Sequence, residues 1–114
     1  MHLILPKEIV ILSAARTPVG RFDGSLSGLD AVDLGAIAIE AAVSRAGIDA
    51  TAVDTVNMGI VVSSGYGIAP AKAAATQAGL PQTIHSRSIE TVCGSAMDAI
   101  ALVIESLMAG TSTL

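Results

Sequence analysis

The sequence predicts an α/β fold built on a mostly parallel sheet, and three observations carry that prediction. Strand-like runs alternate with helical ones along the whole chain, the pattern that right-handed crossovers build into a parallel sheet. The runs are short, continuous and β-branched, as in strands covered on both faces. The apolar mass is Ala, Ile, Val and Leu: of 114 residues 52% are hydrophobic, yet only 2% are aromatic, with one Tyr, one Phe and no Trp. The predicted order is β-α-β-α-β-α-β.

The first strand is Glu8-Ile9-Val10-Ile11-Leu12-Ser13-Ala14. Ala15 to Gly28 follows as a loop, marked by Thr17-Pro18, Gly20, Gly24 and Ser27-Gly28. Leu29 to Ala46 reads as a helix, with Asp30 to cap it, Leu34, Ile37, Ala38, Ala41 and Ala42 on one face, and Gly47 past its end. Val53 to Val62 is the second strand and Ser63 to Ile68 a glycine-punctuated loop. Pro70 suits the first turn of a small-residue helix over Ala69 to Ala78, stopped by Gly79 and Pro81. Ile84 to Ile89 is the third strand, Cys93 to Ala109 the third helix closed by Gly110, and Thr111 to Leu114 begins a fourth strand.

Composition narrows the function. A net charge of −4, from ten acidic and six basic residues, comes without a Lys/Arg cluster, and the two aromatic rings are scattered. Nucleic-acid binding is therefore not expected. Only 14% of the residues are charged, low for a small domain with so much surface, so further polypeptide or another subunit is expected to cover part of it. One cysteine excludes an intrachain disulfide framework and fits a reducing compartment. Met1 to Leu5 is too short for a signal-peptide core, and Ala96 to Ala109, which carries Asp98 and Glu105, falls short of a membrane span. The expectation is a soluble cytoplasmic protein.

That cysteine, Cys93, sits where the third strand gives way to the third helix, in the turn Glu90-Thr91-Val92-Cys93-Gly94-Ser95. A thiol in the first turn of a helix faces free backbone N–H groups and the positive end of the dipole, both of which favour the nucleophilic thiolate. Gly94 leaves room beside the sulfur for a substrate carbonyl. The competing reading is a small buried hydrophobe, the commoner fate of a free cysteine. Spacing supplies no partner base: His2 is near a terminus, and His85 lies eight residues upstream, roughly 26 Å along an extended strand. Arg16 is expected to hold loops or an interface by hydrogen bonds, and Lys72 and Arg87 to be solvated or interfacial charges. Gly65-Tyr66-Gly67 lacks the spacing and the lysine of a phosphate loop.

Taken together, these residues resemble the thiolases, the acetyl-CoA C-acyltransferases. The run Ile9 to Phe22, a strand followed by Ala15-Arg16-Thr17-Pro18, resembles their N-terminal signature. Asp33-Leu34-Gly35, Ala46-Gly47-Ile48, Val56-Asn57-Met58-Gly59 and Pro70-Ala71-Lys72 follow in the family's order, and Val92-Cys93-Gly94-Ser95 is similar to the segment around its acylated cysteine. The resemblance implies that residues 1–114 are part of a thiolase N-terminal domain, a half-domain with an incomplete sheet, without the loop domain or the C-terminal domain. It implies acyl transfer between acyl-CoA thioesters, by Claisen condensation or thiolysis of a β-ketoacyl-CoA. Cys93 would be the nucleophile that carries the acyl group, and its backbone N–H an oxyanion donor. CoA thioesters would be substrates, with no other cofactor and no metal, and a homodimer or homotetramer is expected, with Ile84 to Ile89 near the dimer contact.

The family's activating histidine and second cysteine have no counterpart here, so the chain alone is expected to be inactive. Glu90 stands where the family usually has Asn, and a carboxylate near a thiol opposes its ionisation. Ser95-Ala96-Met97 replaces Ser-Gly-Leu, adding the Ala96 methyl where backbones pack closely. Two rival readings are a ketoacyl synthase, against which the Ala-Arg-Thr-Pro opening argues, and a non-catalytic subunit or assembly fragment.

Overall fold

The computed structural model describes residues 8–114; His2 and the apolar start Met1 to Leu5 lie outside them. Helix α1 spans Ala31–Ala46, strand β1 Thr55–Gly59, helix α2 Pro70–Gln77, strand β2 His85–Ile89 and helix α3 Ser95–Ala109. The two strands pair in parallel, from Thr55 opposite His85 to Gly59 opposite Ile89. The crossover between them carries α2, so the α/β class read from alternation and β-branching holds.

The helix ends follow their sequence signals. The Asp30 carboxylate accepts the Asp33 N–H at 2.9 Å while the Asp33 carboxylate accepts the Asp30 N–H at 3.0 Å, a reciprocal capping box. Gly47, at φ +66°, closes α1 in the left-handed conformation that glycine adopts without penalty. Pro70 opens α2, where its missing N–H costs nothing. Small residues bring α1 and α2 together: a Cβ on Gly35 would lie 3.3 Å from that of Ala74. Gln77 then donates to Asp33 at 2.8 Å across the helix pair.

Val56, Ala75, Leu80 and Ile84 form the core, flanked by half-buried Ile39, Val43, Val53 and Met58. This core is thin, and the radius of gyration, 15.2 Å, exceeds the ~13 Å usual for a compact domain of this length. An open apolar groove of about 510 Å³ runs between the Ile9–Leu12 run, α1, the C-terminal half of α3 and Leu114.

Three expectations need correction. Glu8 to Ala14 forms no strand, because a strand exists only through its partner and these residues bond to α1 instead: Ser13 Oγ donates to the Ala42 carbonyl at 2.6 Å and Arg45 to the Ala14 carbonyl at 2.9 Å. Thr111 to Leu114 forms no ladder either, although the Leu114 carbonyl accepts the N–H groups of Asp54 and Thr55, and Thr113 donates twice to the Asp54 carboxylate. Finally, a short helical turn extends the third helix backwards, and Val92–Ala109 is long and apolar enough to cross a membrane by length and composition. Here that helix lies on the sheet, with Asn57 of β1 donating to the Ala99 carbonyl at 3.4 Å.

Candidate active site

Cys93 lies ahead of α3 rather than in its first turn. Val92–Gly94 make a single 3-10 turn, Gly94 caps α3, and Ser95 is the helix's first residue. The thiol is free and exposed, so the buried-hydrophobe reading falls away. A Cβ on Gly94 would meet nothing within 4 Å, which leaves the backbone beside the cysteine open to an incoming group.

The turn is anchored from beneath. At the C-terminal end of β1, Gly59 passes so close to α3 that an added Cβ would lie 2.5 Å from Ala96 N and 2.6 Å from the Ser95 carbonyl carbon. The tight packing expected at Ala96 is real, but Gly59 opposite supplies the room, and Ala96 itself is exposed. The Ser95 side chain is buried; its hydroxyl accepts the Thr91 N–H at 2.9 Å and lies 2.6 Å from the Val92 carbonyl and 3.3 Å from that of Ile60. Val92, between them, has φ +52°. Sequence reasoning passed over Ser95 and Val92, since nothing in a β-branched residue signals a left-handed backbone.

The Glu90 carboxylate accepts the Ser63 hydroxyl at 2.9 Å, tying the Ser63–Ile68 loop to the start of the turn. His85 is exposed at the first position of β2, the far end of the strand from the cysteine, so the structure does not bring it to the thiol. Among the described residues Arg16 bonds only the neighbouring Thr17 carbonyl. Lys72, expected as a solvated or interfacial charge, is half-buried: it donates to the carbonyls of Gln82 and Ile84 and fastens α2 to the entry of β2. Among the described residues no three His, Cys, Asp or Glu side chains gather as metal ligands.

The family comparison places this crossover sheet: the family described as thiolase, N-terminal domain, matches residues 9–114. The chain belongs to the thiolase family. Its relatives include the cytosolic acetyl-CoA acetyltransferase of Gibberella zeae, 48% identical over 93% of this chain and 27% of that protein. They also include the mitochondrial acetyl-CoA acetyltransferase of Xenopus tropicalis, 52% identical over 90% of this chain and 24% of that one. Among solved structures, an acetyl-CoA acetyltransferase from Syntrophomonas wolfei superposes with a TM-score of 0.88 at 33% identity, over 95% of this chain and 27% of its own. The Acat5 thiolase from Ascaris suum, in complex with coenzyme A, gives 0.86 at 32% identity, over 90% of this chain and 27% of its own. The thiolase chain described here thus spans about a quarter of the length of these relatives.

Proposed function

We propose that this chain is the N-terminal part of a thiolase that transfers acyl groups between CoA thioesters through an acyl-cysteine on Cys93. The observation that carries the reading is an exposed free thiol, open on its glycine side, in a chain whose relatives are named acetyl-CoA acetyltransferases. The Cys93 sulfur, its proton taken by a base, attacks the carbonyl carbon of an acyl-CoA. The carbonyl electron pair moves to oxygen, where the Cys93 backbone N–H is a donor. Collapse breaks the bond to the CoA sulfur, and CoA leaves as the thiolate and regains a proton. A second acyl-CoA, deprotonated at Cα, then attacks the acyl-cysteine and the Cys93 sulfur departs; in reverse, a CoA thiolate attacks it. Covalent catalysis of this kind divides one difficult step into two easier ones, and an oxyanion donor lowers the barrier by about 3 kcal/mol.

The chain's only histidines are His2 and His85 and its only cysteine is Cys93. Base, second acid and the CoA-binding surface therefore come from further polypeptide, and the chain alone is inactive in this reading. CoA thioesters serve as substrates and no other cofactor is called for. A homodimer or homotetramer in the cytoplasm completes the proposal.

The test is intact-mass spectrometry after brief incubation with acetyl-CoA and an acid quench, run on this chain and on a protein in which it is joined to a C-terminal thiolase portion. One acetyl group added to the joined protein, and lost in Cys93→Ser, is the expected result. An adduct that survives Cys93→Ser, or a joined protein that turns over acetyl-CoA without Cys93, overturns the reading.

A further inference from the structure

Val92 is the described non-glycine residue beside the thiol with a positive φ, +52°, a conformation a β-branched side chain adopts only under constraint. Packing does not supply that constraint, because the Val92 side chain is 63% exposed. The constraint has to come from hydrogen bonds: the Gly94 N–H donates to the Thr91 carbonyl at 3.1 Å across Val92, and one side-chain hydroxyl reaches both Thr91 and Val92. Ser95 is 3% exposed, and its Oγ accepts from Thr91 N, the residue before Val92, while lying 2.6 Å from the carbonyl of Val92 itself. The backbone N–H of Ser95 donates to that same carbonyl. The hydroxyl also stands 3.3 Å from the Ile60 carbonyl, which joins the brace to the sheet just beyond β1.

We propose that Ser95 is a positioning residue: its hydroxyl locks Val92 in the left-handed conformation and thereby sets the direction of the Cys93 side chain that follows. The role of this geometry in acyl transfer rests on the proposed function above; the geometry itself does not. Without the hydroxyl, Thr91 N–H and the Val92 carbonyl lose their shared partner, Val92 relaxes to negative φ, and the sulfur swings away from its place ahead of α3. Glycine at position 92 reaches positive φ without the steric penalty that valine meets there, so Val92→Gly should rescue the loss of Ser95.

The experiment is the rate of Cys93 alkylation by iodoacetamide in the full chain, read by intact mass, for wild type, Ser95→Ala, Val92→Gly and Ser95→Ala/Val92→Gly, with the melting temperature of each. Ser95→Ala is expected to change the alkylation rate by about tenfold, the scale of one buried hydrogen bond lost with the Thr91 N–H left unpaired. Val92→Gly should alkylate as wild type, and the double variant should return to the wild-type rate while its melting temperature stays below that of Val92→Gly. Rescue of rate without rescue of stability is what a merely structural serine would not produce. Equal alkylation rates in wild type and Ser95→Ala, or a double variant no closer to wild type than Ser95→Ala, overturn the proposal. An acetyl-CoA arm on the joined protein keeps the two readings apart. Rescue of alkylation with no acetyl adduct in wild type leaves the positioning role standing and refutes the nucleophile. Acetylation of Cys93 with no effect of Ser95→Ala does the reverse.

Discussion

Gly59→Ala tests the seam on which the cysteine turn rests. The added methyl would lie 2.5 Å from Ala96 N, 2.6 Å from Ser95 C and 2.9 Å from Ala96 Cα, where ordinary contact begins at 3.4 Å. All three are backbone atoms, so no side chain can rotate out of the way. Strand and helix must separate by about 1 Å at this point. Separation is resisted on both sides. Gly59 is held in register opposite Ile89, the Ile60 N–H continues the ladder to the Ile89 carbonyl at 2.9 Å, and Ser95 is fixed by its own hydrogen bonds. Overpacking costs about 1–3 kcal/mol where side chains can adjust, and a backbone-to-backbone clash belongs at the upper end, about 3 kcal/mol. A domain of this size has roughly 5–15 kcal/mol to lose, and each kcal/mol moves the melting temperature by about 4 °C. A fall of about 10 °C is therefore expected by circular dichroism, together with a changed rate of Cys93 alkylation. Gly28→Ala is the matched control, since a Cβ there meets nothing within 4 Å. A Gly59→Ala melting temperature within about 2 °C of wild type would show that strand and helix are not held at this distance and would refute the reasoning.

Lys72→Met should lower stability by about 2 kcal/mol, because it removes a charged donor from the Gln82 and Ile84 carbonyls while keeping the aliphatic stem; urea unfolding with an unchanged slope checks it. Acid should weaken the fold in a defined window. The hydrogen bond from Gln77, then the Asp30 N–H, holds the Asp33 carboxyl below its usual 3.8, and the Thr51 side chain and N–H do the same for Asp49. With lowered folded values the unfolded chain binds more protons there, so this stability is present above 3.8 and lost as pH falls through the folded values. Urea midpoints measured between about pH 6 and about pH 2 should fall on that limb, less steeply in Gln77→Ala.

Local chemistry was legible in the sequence where the structure is local. Asp30, Gly47, Pro70 and Gly110 marked helix ends that the structure places within a residue or two, because a cap is a contact between near neighbours. The run Glu8 to Ala14 carries as strong a strand signal as Val56 to Met58, yet only the second finds a partner strand. Pairing depends on what lies across the ladder, and no local pattern records it. The same limit divides the site. Cys93 and Gly94 announced themselves by type and position, whereas the contact of Ser95 with Ile60 and the approach of Gly59 to α3 arise from chain segments some 35 residues apart. The partners of Lys72 were hidden for that reason too, lying 10 and 12 residues further on.

The distribution of burial explains why hydrogen bonds, rather than packing, carry the precision of this site. No large side chain is fully buried among the described residues, and five of the eight buried hydrophobics are alanines: Ala36, Ala71, Ala74, Ala75 and Ala99. Alanine cores bring backbones close but offer little side-chain interlock, so they fix distances between elements better than the angles of a turn. Around Cys93 this is extreme: Val92 and Met97 are 63% and 75% exposed, and neither can wedge the turn in place. What remains is a glycine that lets strand and helix touch and a buried hydroxyl that gathers three backbone groups. A thiol held this way is oriented by directional bonds at its own base.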